Sequence, residues 1–194
     1  LHELYAAGAA REDITLVCGR GVHRAQTEEE RRHLAGERAW KEIACMDSDP
    51  EDTVVLGTTR RGTPVELMRA VAQADRRILL GNIEFHYFAG YSGGAKALMP
   101  GVSTRRAIRC NHSHMAEAGA HAGLLEGNPV REDIEEAAAI AGADFILNVV
   151  LDAHKQIVCA VAGDVTAAHR RGCAFLETFY RKEIARRAGI VLVS

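Results

Sequence analysis

Short runs of β-branched and other apolar residues alternate with segments of helical periodicity along the whole chain. That alternation confines it to an α/β, Rossmann-like architecture with a largely parallel or mixed sheet flanked by helices. Strands are expected at Ile14–Val17, Thr53–Leu56, Ile78–Leu80, Phe145–Val150, Ile157–Val161 and Ile190–Val193. Thr27-Glu28-Glu29-Glu30 is a capping box: the hydroxyl accepts from a free helical N–H while the glutamate three residues on reaches back. Asn128-Pro129 repeats the logic, and predicts a helix through Arg131–Ala141 that ends at Gly142 and turns Ile134, Ala138 and Ala141 inward. A second long helix is expected over Val165–Ala188, closed by Gly189. Arg60-Arg61-Gly62 reads as a hairpin turn between Val54-Val55-Leu56 and Pro64–Leu67, with a helix cap at Thr63 as the alternative.

Composition narrows the function classes. The 194 residues are 47% hydrophobic and 26% charged, with a formal net charge of −2, as expected of one soluble globular unit spanning 1–194. Its basic residues sit in mixed-sign segments, so no positive field exists to hold a nucleic acid backbone. Five cysteines, an odd number without a CxxC pair, argue against a disulfide framework or a structural zinc site, and a reducing cytoplasm is the simpler expectation. No apolar run is long enough for a membrane span, and no export signal opens the sequence. The chain starts on Leu1 inside a helix-like segment and stops at Ser194 after a strand-like one, so both ends read as cuts through a longer, two-domain protein.

The chemistry concentrates in residues 81–101, which begin where the strand Ile78–Leu80 ends. In open α/β sheets, ligands bind beyond the carboxyl ends of strands. Glycines at 90, 93, 94 and 101 allow close backbone approach. Lys96 lies among Ala95, Ala97, Leu98 and Met99, where burial would depress its pKa and leave a nucleophilic amine, although lysine is ordinarily a solvated surface residue. His86 lies just past the strand; His112 and His114 follow Arg109-Cys110-Asn111. Gly19-Arg20-Gly21 lacks the third glycine of a dinucleotide fingerprint, which excludes that site and leaves a glycine turn able to aim His23 at the same crevice.

Taken together, Gly21-Val22-His23-Arg24, Leu56-Gly57-Thr58, Gly62-Thr63-Pro64-Val65, the long run His86–Lys96, Asn111-His112 and Gly127-Asn128-Pro129 resemble, in order, the lactate racemase family. The resemblance implies the catalytic N-terminal-domain portion of a 2-hydroxy acid racemase or epimerase that uses a nickel-pincer nucleotide, nickel pyridinium-3,5-bisthiocarboxylic acid mononucleotide. It further implies that Lys96 binds this cofactor covalently through a thioamide, His112 completes the nickel coordination, and His23 and His86 act as the acid/base pair. Implied partners are a small 2-hydroxy acid and the cofactor maturation proteins, with neither nucleic acid nor membrane. A 2-hydroxy acid holds its C2 hydrogen too firmly for easy loss as a proton, which is why a hydride acceptor flanked by two near-neutral bases suits the reaction.

Phe85 stands where relatives commonly carry proline and Ala95 where they commonly carry arginine; both departures leave the four core residues intact. The family's upstream aspartate and arginine motif and its downstream domain have no counterpart in the chain, so the segment alone is expected to be inactive and cofactor-free. Two other readings stay open on the residues themselves: a zinc- or nickel-dependent hydrolase with His86, His112 and His114 as ligands, and a non-catalytic nucleotide-binding module built on Ser92–Lys96.

Overall fold

The structure is a computed structural model that describes residues 1–184 and 189–190. In chain order the elements are α1 (His2–Ala6), β1 (Thr15–Cys18), α2 (Glu28–Glu42), β2 (Ala44–Asp47), β3 (Thr53–Thr58), β4 (Pro64–Met68), α3 (Arg69–Ala72), β5 (Ile78–Asn82), β6 (Phe85–His86), β7 (Gly90–Tyr91), α4 (Arg105–Ser113), α5 (Pro129–Ala141), β8 (Phe145–Leu151), β9 (Ile157–Gly163) and α6 (Val165–Tyr180).

The α/β class holds, and the strands divide among small parallel, antiparallel and mixed sheets rather than joining one. β1 and β2 pair in parallel across the α2 crossover; β3 and β4 form the hairpin predicted around Arg60–Gly62. The central sheet has the order β5-β8-β9, parallel between β5 and β8 and antiparallel between β8 and β9. Its register pairs Ile78 with Phe145 and Leu80 with Leu147, so these four residues share one face. Leu79, Ile146 and Val150 point inward under α5 and α6, while Ile78, Leu80, Phe145 and Leu147 stay exposed on the opposite face.

Local signals explain most element boundaries. The Thr27 capping box closes in both directions, and α2 is interrupted at Gly36, whose φ of 77° breaks the helical path. Asn128 accepts from the N–H groups of Val130 and Arg131, Pro129 occupies the first turn, and Gly142 ends α5 in the left-handed conformation. Val130, Ile134, Ala137, Ala138 and Ala141 of that helix are buried against Val65, Leu67, Met99 and Ile146. Full burial of one such aliphatic side chain stabilises by about 1.5–3 kcal/mol, which makes α5 the main support of the residues it carries.

One expectation needs correction, and the sequence reading lacks several elements, β2 and α4 among them. β2 has no β-branched residue and was missed; it forms because the adjacent β1 offers a free edge. α4, capped by Thr104, was also missed. The helix expected to reach Ala188 ends at Tyr180, where apolar anchoring by Leu176 runs out and the Tyr180 hydroxyl donates instead to the carbonyl of Leu151. Residues 185–188 of that expected helix, and residues 191–194 of the expected strand Ile190–Val193, lie outside the described residues. Among the described residues no helix is long and apolar enough to cross a membrane, and all five cysteines are free thiols.

Candidate active site

The segment that follows β5 folds back as the small β6-β7 hairpin and enters a 3-10 turn, Gly94–Ala97, that carries Lys96. Its backbone cannot satisfy itself, because a tight irregular loop under a helix layer leaves carbonyls and N–H groups without partners. Four side chains, each at most 1% exposed, supply them. Asn128 donates to the carbonyl of Phe88 at 2.9 Å. Arg131 donates through Nε to the carbonyl of Ala89 at 3.3 Å and through Nη2 to that of Tyr91. His169 donates through Nε2 to the carbonyl of Ser92 at 2.8 Å. Asn148 accepts from the Gly94 N–H at 2.6 Å.

Glycine is required where this shell closes in. Gly93 has φ 74°, and a Cβ there would stand 2.7 Å from the Asn148 Oδ1; Gly94 has φ 57°, and a Cβ there would stand 2.8 Å from the His169 ring. The loop is therefore held from three directions, by the start of α5, by β8 and by α6.

This scaffold brings three of the expected residues together. His86 is half-buried, with its ring edge-on to Phe88 at 4.6 Å, and Phe88 in turn meets His112 edge-on at 4.9 Å. Burial, then the positive charges of Lys96, His112 and Arg131, push His86 down to about 4. Burial and then Arg131 push Lys96 down to about 8, with no ion pair or hydrogen bond of its amine among the described residues. Burial, then Lys96, also lowers His112. Nδ1 of His86 accepts from the N–H of Ala89 at 3.2 Å, which assigns the neutral ring's proton to Nε2.

His112, near the end of α4, meets the amide oxygen of Asn111 through Nδ1 at 3.2 Å. That amide is oriented by its own donations to Asp133 at 2.7 Å and to the carbonyl of Val130 at 3.2 Å, and Thr59 donates to the other oxygen of Asp133. Nδ1 of His112 thus carries the proton and Nε2 keeps a free lone pair, the form in which imidazole ligates a metal.

His23 stands apart. It is exposed, on the rim of an open cleft of about 350 Å³ lined by Gly19, Arg20, Arg24, Gln26 and Glu30. Its loop nevertheless docks on the Lys96 turn: the Gly21 N–H donates to the carbonyl of Gly101 at 2.9 Å, and Gly101 donates to the carbonyl of Lys96 at 3.1 Å. His114 points elsewhere, tied to Glu117 at 2.7 Å. The trio His86, His112 and His114 proposed for a hydrolase does not assemble, and among the described residues no three histidine, cysteine or carboxylate side chains gather to hold a metal. Ala95 is 2% exposed within the core, so this departure falls at a packing position, whereas Phe85 is exposed beside Tyr91.

Arg131, Asn148 and His169 escaped the sequence reading, and Asn128 was seen only as a cap. Their signal was present: Asn148 lies at the inward parity of an otherwise apolar strand, and Arg131 occupies the helix face of Ile134 and Ala138.

Comparison with known proteins finds relatives along most of the chain. The family described as the lactate racemase N-terminal domain matches residues 1–123. A lactate racemase of Thermoanaerobacterium thermosaccharolyticum is 34% identical over 187 residues, 94% of this chain and 44% of the relative. One of Lactiplantibacillus plantarum is 36% identical over 169 residues, 84% of this chain and 40% of the relative. The chain thus spans less than half the length of these curated relatives. The solved lactate racemase apoprotein of T. thermosaccharolyticum superposes with a TM-score of 0.81 at 34% identity, covering 84% of this chain and 40% of that one. A Thermotoga maritima protein shares the fold with a TM-score of 0.74 at 20% identity, over 91% of this chain and 49% of its own.

Proposed function

The chain belongs to the lactate racemase N-terminal domain family, and from that premise we propose that it is the cofactor-bearing portion of a racemase or epimerase of a 2-hydroxy acid. The observation that carries the reading is the convergence of His86, Lys96 and His112 on one half-buried patch, each altered by its neighbours' charge.

The residues fit the cofactor the family resemblance implies. An amine poised near 8 and free of ion pairs among the described residues is available for covalent attachment, so Lys96 would anchor the nickel-pincer nucleotide. His112, with Nδ1 engaged by Asn111, would offer Nε2 to the nickel. When bound, the group supplies reversible hydride acceptance from the substrate's C2.

The chain's own side chains then manage the proton on the substrate oxygen. His86 presents Nε2–H as a hydrogen-bond donor to a keto oxygen; to take the hydroxyl proton at Nε2 the neutral ring must carry its own proton on Nδ1, at the expense of the contact from Ala89, and the imidazolium so formed returns the proton. A substrate that leaves with the opposite hand needs a second proton carrier on the other side, the role of His23 on the loop docked against Gly101. The acid's side chain is not selected by these groups. On this reading the cofactor maturation proteins are transient partners.

The test is co-expression, with the maturation proteins, of the chain joined to the parts of its curated relatives that it does not span, followed by intact mass and peptide mapping. An adduct on Lys96 that vanishes in Lys96→Ala, and bound nickel that falls in His112→Ala while the adduct persists, support the reading. An unmodified Lys96 under conditions that load a known lactate racemase would overturn it.

A further inference from the structure

Arg131 is the largest fully buried side chain among the described residues, with 0% exposure. No carboxylate hydrogen-bonds to it among the described residues. Glu135 lies 4.0 Å away and is already held through both oxygens by Arg170, at 2.7 and 3.0 Å. Nη1 of Arg131 is enclosed and has no hydrogen-bond partner among the described residues. A buried cation without a bonded carboxylate is a poor way to stabilise a helix face, where an apolar residue of similar size does better. What the guanidinium does hold is backbone: the carbonyls of Ala89 and Tyr91, between His86 and Lys96.

We propose that Arg131 is a positioning residue, whose guanidinium fixes the hairpin between His86 and Lys96 and sets the spacing of the proton-transfer and anchoring groups. The inference rests on the functional reading above and extends it to a residue outside the patch. A second consequence follows from charge. The groups around the Lys96 amine are Arg131 from α5 and the imidazoles of His86 and His112, with His169 of α6 behind Gly94. Arg131 is the permanent cation of that set, and it favours the neutral amine.

The experiment uses the protein expressed without maturation proteins, so it is independent of cofactor loading. Hydrogen exchange over residues 87–96 and the pH dependence of Lys96 acetylation are read by peptide mass spectrometry. Arg131→Met is expected to speed exchange in that segment roughly tenfold or more and to raise the Lys96 midpoint by about one unit. Arg131→Lys keeps the charge but cannot span both carbonyls, so it should speed exchange while holding the midpoint near that of the unaltered protein. A folded Arg131→Met protein with exchange and midpoint both unchanged overturns the proposal. If Arg131→Met does not fold, Arg131→Lys decides: faster exchange supports the proposal, and unchanged exchange overturns it. Failure to form a Lys96 adduct on co-expression would sink the racemase reading and leave these results standing.

Discussion

Asn111 accepts a hydrogen bond from Nδ1 of His112 at 3.2 Å, and its amide is fixed for that task because Asp133, itself 0% exposed, accepts from the amide nitrogen at 2.7 Å. A ligand imidazole oriented in this way has its tautomer chosen before the metal arrives. Asn111→Ala should therefore weaken nickel retention by about 10–100-fold in protein carrying the Lys96 adduct, as measured by competition with a chelator. The same change strips Asp133 of a donor and should cost about 1–3 kcal/mol of stability. Nickel retention at the unaltered level would show that Asn111 does not orient the ligand.

Acid should destabilise the fold well above the carboxylate range. His169 is buried and donates to the carbonyl of Ser92; burial, then Arg131, push it down to about 4. Its folded value lies below the unfolded value of about 6.5, so the folded state binds fewer protons between the two. Stability is full above about 6.5 and falls as pH drops toward 4. For His169 alone the loss between pH 7 and 5 is roughly 2 kcal/mol. Denaturant midpoints at the two pH values measure it, and His169→Gln, which keeps an N–H donor, should flatten the dependence. An equal slope in both proteins would remove His169 as its source.

Much of this molecule could be read before any coordinates. The apolar run Phe145–Val150, the Thr27 box and the Asn128-Pro129 start are local signals, and local physics decided them. β2 was illegible because Ala44-Cys45-Met46-Asp47 has weak strand propensity and depends on β1 for its partner. The patch itself was half legible: His86 and Lys96 stood out as ionisable groups in a glycine-rich loop, and His112 through the family resemblance of Asn111-His112. The residues that hold them did not, because Arg131, Asn148 and His169 bond to loop atoms 40, 54 and 77 residues away in sequence. A polar residue on a buried face announces that some partner exists; only the tertiary structure says which.

The contact between Ala89 N–H and Nδ1 of His86 makes a spectroscopic prediction. With Nδ1 accepting at 3.2 Å and the ring held at about 4, His86 should be neutral and protonated at Nε2 throughout the range from pH 5.5 upward. Nitrogen-15 correlation spectra of the imidazole distinguish this form directly from its Nδ1–H tautomer and from imidazolium. Finding the Nδ1–H form in the free protein would mean that His86 is already poised to take a proton at Nε2, contrary to the assignment made from the hydrogen bond.

The tightness of the Lys96 turn can be separated from ordinary backbone strain by two substitutions. Gly8 and Gly94 both have positive φ, 94° and 57°, so alanine is strained at either, by about 1–2 kcal/mol. They differ in what surrounds them: a Cβ at Gly8 would meet nothing within 4 Å, whereas one at Gly94 would lie 2.8 Å from the His169 ring. That ring cannot swing aside freely, because its Nε2 is committed to the carbonyl of Ser92 at 2.8 Å. Gly94→Ala must then displace α6, break that bond, or shift the turn, an overpacking cost of about 1–3 kcal/mol beyond strain. Urea denaturation should show Gly94→Ala losing more than Gly8→Ala by that amount, and exchange over residues 92–96 should quicken in the former alone. If the two variants lose equal stability, the His169 ring is free to yield, and the turn that presents Lys96 is not braced by α6.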